Sequence, residues 1–231
     1  MMIPKIIHYC WFGGKALPQS ACKCLDSWKK YCPEYRIIEW NEDNFDVNMN
    51  QYTKYCYENK LWAFLSDYAR LYVVYQQGGI YFDTDVEVIR PIDELLYNES
   101  FWGFENNLYV ASGLGFGSTK SNYVVKMMLQ EYEKLCLEKD KIVNCPKLNT
   151  AALLKCGLKQ NGLLQKLDCA TVYPVDYFNP MNSVNGRITI TENTYTIHRY
   201  TMSALSNRKK LRAKIMRKLR GIFGEGFFRK N

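Results

Sequence analysis

No C-x-x-C pair occurs among the nine cysteines, and Cys22-Lys23-Cys24 is the nearest approach to a cluster. A structural zinc site needs grouped thiolates or imidazoles, so this spacing argues against one. An odd number of scattered thiols also fits a reducing compartment better than a disulfide framework. No stretch approaches the roughly 20 apolar residues of a membrane-spanning helix; the richest, Leu61 to Tyr75, is broken by Asp67 and Arg70. The opening Met1-Met2-Ile3-Pro4-Lys5-Ile6-Ile7-His8 has too short an apolar run, with Lys and His inside it, to read as a signal peptide. Internal repeats and low-complexity tracts are lacking. Gly113-x-Gly115-x-Gly117 does not have the spacing of a dinucleotide-binding fingerprint. It reads as a strand or turn whose missing side chains leave room for a sugar, or as plain turn geometry.

What is present is a globular composition: 231 residues, 47% hydrophobic, 23% charged and 15% aromatic, with 18 Tyr. That is enough for one substantial core. The net charge of +8 is unevenly placed. Asn207 to Asn231 holds ten Lys/Arg and one Glu, leaving 21 basic and 22 acidic residues in the body. A terminal basic block points to a local surface contact rather than to nucleic acid.

Strands are expected at Lys5–Tyr9, Tyr35–Trp40, Ile80–Phe82, Phe101–Phe104, Leu108–Val110 and Thr194–His198. Helices are expected at Pro18–Cys32, Gln51–Asn59, Leu61–Gln77, Asn122–Glu138, Cys145–Lys159 and Leu205–Phe223. The alternation in the first half predicts an α/β layered fold with a mostly parallel sheet. In such sheets ligands sit off the carboxyl ends of strands, and Asp83-Thr84-Asp85 falls at such an end, directly after Ile80-Tyr81-Phe82.

Two carboxylates at i and i+2 can converge, and close carboxylates repel unless one is protonated or a cation lies between them. Oxygen ligation suits Mn²⁺ or Mg²⁺, which bind one or two carboxylates and leave positions open for substrate phosphates. An isolated D-x-D is more often a polar turn. Here the preceding helix adds a charged pair, Asp67 and Arg70, inside an apolar stripe, and buried charges are costly unless paired or functional. An intrahelical i,i+3 ion pair is the plainer account of that pair. A two-carboxylate hydrolase is a further possibility, although adjacent i,i+2 acids control the carboxyl separation poorly.

Leu65-Ser66-Asp67-Tyr68-Ala69-Arg70 and Tyr75-x-x-Gly78-Gly79-Ile80-Tyr81-Phe82-Asp83-Thr84-Asp85-Val86 strongly resemble the DXD-containing sugar transferases of glycosyltransferase family 32. Ile3 to Gly14 is similar to that family's first strand, and Tyr195-Thr196-Ile197-His198-x-x-x-x-Ser203 to its last motif. The resemblance spans about residues 3–205. It implies a single-domain GT-A fold, a Rossmann-like sandwich, over 1–204, with a UDP- or GDP-sugar donor, a glycan or lipid-linked acceptor, a Mn²⁺ or Mg²⁺ ion and retention of anomeric configuration. By position it implies that Asp85 ligates the metal directly, that Asp83 bridges the ribose and the metal shell, and that His198 lies on the metal side near the diphosphate. It also implies that Asp67 and Arg70 hydrogen-bond the transferred sugar, that Trp11 stacks on the base, and that Tyr81, Ser66 and Ser203 belong to the donor site. His8 is part of the first motif without an assigned role. The family usually continues with Trp after the last Ser, whereas Ala204 follows Ser203 here, which removes one contact to the leaving diphosphate.

In residues 205–231, Leu211, Ile215, Leu219 and Ile222 share one helical face and Lys/Arg crowd the rest. A basic amphipathic helix suits an anionic bilayer surface. Together with the resemblance it implies a peripheral enzyme on the inner face of the cell membrane, engaged in capsular or other surface polysaccharide synthesis.

Overall fold

The computed structural model describes residues 2–135, 143–201 and 207–223, apart from the side chains of 207–210, 214 and 221–223. Chain order runs β1 (Ile6–Cys10), α1 (Gln19–Tyr31), β2 (Arg36–Trp40), α2 (Gln51–Glu58), α3 (Trp62–Gln77), β3 (Gly79–Tyr81), β4 (Val86–Val88) and β5 (Ser100–Gly103). It continues with β6 (Phe116–Ser118), α4 (Tyr123–Glu133), α5 (Cys145–Lys155), β7 (Gln165–Leu167), β8 (Ala170–Tyr173), α6 (Val175–Phe178), β9 (Thr196–His198) and α7 (Asn207–Phe223). Short 3-10 turns cover Asp93–Tyr97 and Ser112–Leu114.

Seven strands form one sheet in the order β2-β1-β3-β6-β5-β8-β7. β1, β2, β3, β5 and β8 run one way, while β6 and β7 are antiparallel to their neighbours. The mostly parallel α/β sheet expected from the sequence is present, with two reversals that the residue pattern does not announce. β4 and β9 form a separate antiparallel ribbon.

Alternation along the strands sends side chains to two cores. Tyr81, Trp102 and Phe116 pack with α3, α4 and α5 on one face. Ile7, Tyr9, Ile80, Phe82 and Phe101 pack with Trp28 of α1, the β4 valines and Phe178 on the other. Each such fully buried large side chain contributes roughly 2–3 kcal/mol of transfer free energy. α3 lies so deep that Leu65, Tyr68, Ala69, Leu71, Val73 and Val74 are all buried, so the helix is apolar nearly all round rather than striped. It stops at Gly78, whose φ of +69° an L side chain resists.

Several element boundaries differ from expectation. Leu108–Val110 forms only a single bridge, Val110 to Phe104, because Asn106 turns the chain there by accepting from the Leu108 and Tyr109 amides. α4 ends at Glu133 and α5 at Lys155. β7, β8 and α6 arise from residues 165–178, which carry little periodicity. The 204/205 boundary lies outside the described residues. Among those described, no helix is long and apolar enough to cross a membrane, and the eight described cysteines are free thiols.

His8 acquires a clear role. It is fully buried, its Nε2 donates to the Gly78 carbonyl at 2.9 Å, and its Nδ1 accepts from Trp40 Nε1 at 3.0 Å. This neutral ring ties β1 to β2 and to the turn before β3. Burial, with a smaller contribution from Arg36, pushes its pKa down from 6.5 to about 4. An unfolded chain therefore binds a proton that the folded chain refuses, and the stability held above pH 6.5 drains away as pH falls toward 4. Between pH 7 and pH 5 the loss from this one group is about 2 kcal/mol. Chemical denaturation of the wild type and of His8→Gln at both pH values should show this pH-dependent part of the loss in the wild type only.

Candidate active site

The site forms along one edge of the sheet, where the parallel strands β1, β2 and β3 end. β3 runs into Asp83 and Asp85. The third contributor comes from far along the chain: β9 pairs with β4 in a register that sets His198 opposite Val86, next to Asp85. Trp28 anchors β4 by donating its indole N–H to the Val86 carbonyl at 2.8 Å. One ligand atom from each of Asp83, Asp85 and His198 lies within 4.8 Å of the others.

Each acid is held by further partners. Asp85 Oδ1 meets His198 Nε2 at 3.0 Å, while Oδ2 accepts from the Thr201 amide at 2.8 Å and its hydroxyl at 3.2 Å. Burial opposes its charge, but the adjacent His198 and the Thr201 hydrogen bonds outweigh it and hold the carboxyl at about 2. His198 is shifted the other way: burial disfavours its cation, but Asp85 raises its pKa. Its Nδ1 is buried without a partner. A pair of carboxylates and an imidazole converging on one point, with an orphaned ring nitrogen, is a donor set that fits a divalent cation.

Beside this cluster, Arg70 lies 4% exposed and bridges two acids, Asp67 Oδ1 at 2.7 Å and Asp83 Oδ1 at 3.3 Å. The expected i,i+3 pair therefore exists, and it also reaches into the cluster. Burial pushes the Asp67 carboxyl up to about 6 against the pull of Arg70. Tyr81, 1% exposed, donates to Asp83 Oδ1 at 2.9 Å, and the Arg70 guanidinium lies 5.0 Å from the centre of its ring. It thus supports Asp83 from below. Ser66 spends its hydroxyl on the Trp62 carbonyl at 2.9 Å, and its own carbonyl accepts from Arg70 Nε at 3.1 Å. Trp11, just past β1, lines an open cleft of about 650 Å³ together with Gly13, Glu39, Glu42 and Trp62. Ser203 lies outside the described residues.

The glycine-spaced segment differs from expectation. A Cβ on Gly113 would stand 2.5 Å from Asp83 Oδ2 and 3.0 Å from Arg70 Nη1. At Gly115 it would meet the Phe82 ring, and at Gly117 the Phe101 ring. The missing side chains make room for the protein's own groups, not for a sugar. Ser112, Gly113 and Thr201 are site residues that the sequence did not single out as such. Ser112 accepts a long 3.5 Å bond from Arg70, and its amide is fixed by the buried Asn149 side chain at 3.0 Å. Thr201, inside the last motif, and Gly113, in the glycine-spaced segment, carried positional hints. Glu105, just beyond β5, faces His198, and burial raises its carboxyl.

Comparison with known proteins agrees with this geometry. Residues 18–102 match the family described as "Glycosyltransferase sugar-binding region containing DXD motif". Two curated fission-yeast (Schizosaccharomyces pombe) relatives match. Inositol phosphoceramide mannosyltransferase 3 is 29% identical over 103 residues, which is 41% of this chain and 28% of that protein. Inositol phosphoceramide mannosyltransferase 1 is 25% identical over 126 residues, covering 48% and 39% respectively. The matched parts thus span well under half of those relatives' lengths. Among solved structures, the PaToxG glycosyltransferase superposes with a TM-score of 0.52 at 20% identity over 67% of this chain and 70% of that one. A glycosyltransferase involved in glycosylation of the major capsid of PBCV-1 does so with 0.52 at 11% identity, over 92% and 99%. These likenesses establish the fold as GT-A. The D-x-D at the end of β3 lies inside the matched region, so residues 18–102 resemble the sugar-binding region of DXD-containing glycosyltransferases.

Proposed function

We propose that the chain is a retaining, cation-dependent glycosyltransferase that moves a sugar from a UDP- or GDP-sugar to a glycan or lipid-linked acceptor in surface polysaccharide synthesis. The observation that carries this is the convergence of Asp83, Asp85 and His198 within 4.8 Å at the carboxyl edge of the sheet. Asp85 and His198 would hold Mn²⁺ or Mg²⁺ directly, with Asp83 shared between the ion and the ribose. When bound, the ion supplies electrostatic stabilisation to the diphosphate as it gains charge.

The protein's own groups supply the rest. Thr201 keeps Asp85 oriented and ionised. Asp67 and Arg70 present a fixed acceptor and donor to the sugar hydroxyls, and their mutual ion pair prevents either from rotating away. Trp11, at the wall of its cleft, offers an aromatic face to the base. Hydrolysis by Asp83 and Asp85 as an acid/base pair has less support: the carboxyl of Asp85 is held ionised, so it is no proton donor, and Asp83 is engaged by Arg70 and Tyr81.

The tail keeps its place in the proposal. Leu211 and Ile215 on α7 are 61% and 50% exposed, so this apolar face is not spent on the body. Flanked by Lys and Arg, it suits insertion at an anionic membrane surface. A position on the inner membrane face fits the free thiols.

Three measurements test these statements. Incubation with a panel of UDP- and GDP-sugars, with and without Mn²⁺, should reveal slow cation-dependent release of nucleotide, abolished in Asp85→Ala; glycoside cleavage without nucleotide or metal would sink the proposal. Gly113→Ala should lower that turnover about tenfold or more by displacing Asp83 and Arg70, while leaving the fold intact by circular dichroism. Truncation after Ser206 should strip co-sedimentation with anionic vesicles, and unchanged partitioning would remove the membrane assignment.

A further inference from the structure

Helix α7 reaches the body of the protein through Arg217. The aliphatic stem lies on Gly186: a Cβ there would stand 2.9 Å from Arg217 Cδ and 3.0 Å from Cγ. The guanidinium carbon is 6.0 Å from the centre of the Tyr200 ring, and one terminal nitrogen donates a long 3.5 Å bond to the Tyr200 carbonyl. That same Tyr200 ring lies 4.2 Å from the His198 imidazole. The guanidinium is therefore no farther from the candidate cation ligands' imidazole than those two spans laid end to end.

The chain is bent to make this possible. Tyr200 sits at φ +48°, a conformation that costs an aromatic residue energy. It is held there by hydrogen bonds between its hydroxyl and the Asn179 amide at 2.7 and 3.0 Å. The turn sends the Thr201 amide back to Asp85 and the Tyr200 carbonyl outward to Arg217.

Arg217 is under-satisfied where it lies. A guanidinium has five N–H donors, yet the Nε donor is buried without a partner. Among the described residues no carboxylate pairs with it, and the Asp85 oxygens are engaged by His198 and Thr201 instead. A half-buried cation with an orphaned donor beside a diphosphate-binding edge lacks one thing, an anion with forked oxygens.

We propose that Arg217 is a donor-binding residue, contributed by α7, that pairs with the diphosphate of the nucleotide-sugar. This rests on the reading of Asp83, Asp85 and His198 as a cation–diphosphate site. It makes α7 part of the catalytic unit: the face carrying Arg217 completes the donor site while Leu211 and Ile215 remain free on another face. It would also give the chain a phosphate contact of its own, since Ala204 follows Ser203 where the resembling family usually has Trp.

Calorimetric titration of UDP and of GDP, each with Mn²⁺, into the full chain and into Arg217→Ala, Arg217→Lys and the exposed neighbour Lys218→Ala tests this. The wild type and Lys218→Ala should bind one of the diphosphates alike. Arg217→Ala should bind it about tenfold more weakly or worse, and Arg217→Lys several-fold more weakly, because a point charge does not replace a fork. The corresponding monophosphate should discriminate far less between the variants. Should Arg217→Ala fail to fold, the Arg217→Lys affinity decides alone. Unchanged diphosphate affinity in the variants overturns the proposal even if their melting temperature falls, or their binding to phosphatidylglycerol vesicles does, since either would make Arg217 a docking or lipid-phosphate contact. If the wild type binds neither diphosphate, the cation–diphosphate reading and this proposal fall together.

Discussion

The Arg70 guanidinium, buried in α3, holds Asp67 at 2.7 Å and Asp83 at 3.3 Å, with the Tyr81 ring 5.0 Å away. Without that cation two carboxylates would face each other in a medium of low dielectric, and one of them would take up a proton. Desolvating all three charges is expensive, and the expense is offset only while the geometry is kept. The consequence is stiffness: α3, the end of β3 and the Ser112–Gly113 turn cannot shift independently, because each contributes an atom to the same contact. Gly113 follows from this constraint, since nothing larger than hydrogen fits beside the Asp83 and Arg70 atoms.

A second constraint ties distant sequence to the same edge. The β4–β9 ribbon carries His198 to Asp85, and the strained turn at Tyr200 carries Thr201 to the other oxygen of that carboxylate. Trp28 and Ser27 of α1 hold β4 from the opposite side, the first through the Val86 carbonyl and the second through the Val88 amide at 3.0 Å. The ion-pair side and the imidazole side of the site are thus built by different layers of the sandwich and meet only at the D-x-D. Tyr200, touching both His198 and Arg217, extends that meeting point to the basic helix.

Much of the fold was legible. β1, α1, β2, α2 and α3 fell where apolar spacing and Gly-Gly punctuation put them, within a residue or so, because strong local periodicity survives into the tertiary structure. Residues 165–178 were not legible, since β7 and β8 are short and take their pairing from neighbours rather than from their own pattern. α3 was legible as a helix but not in its burial, because its polar members Asp67 and Arg70 satisfy each other inside the core. The glycine-spaced segment was legible as a place lacking side chains, but what occupies the space was not, because the occupants come from α3, β5 and the residues following β3.

By itself the sequence determined that acids would stand at the end of a short apolar strand, that a charged pair would ride on the preceding helix, and that the basic charge would gather in the tail. Those are matters of residue type and local spacing. Tertiary structure alone decided that Arg70 spans Asp67 and Asp83, that His8 is a neutral tie between strands, that Thr201 meets Asp85, and that Arg217 touches Tyr200, the ring packed on His198. Each of these is a contact between residues remote in the chain, and its distance is fixed by strand register and helix packing, which no local pattern encodes.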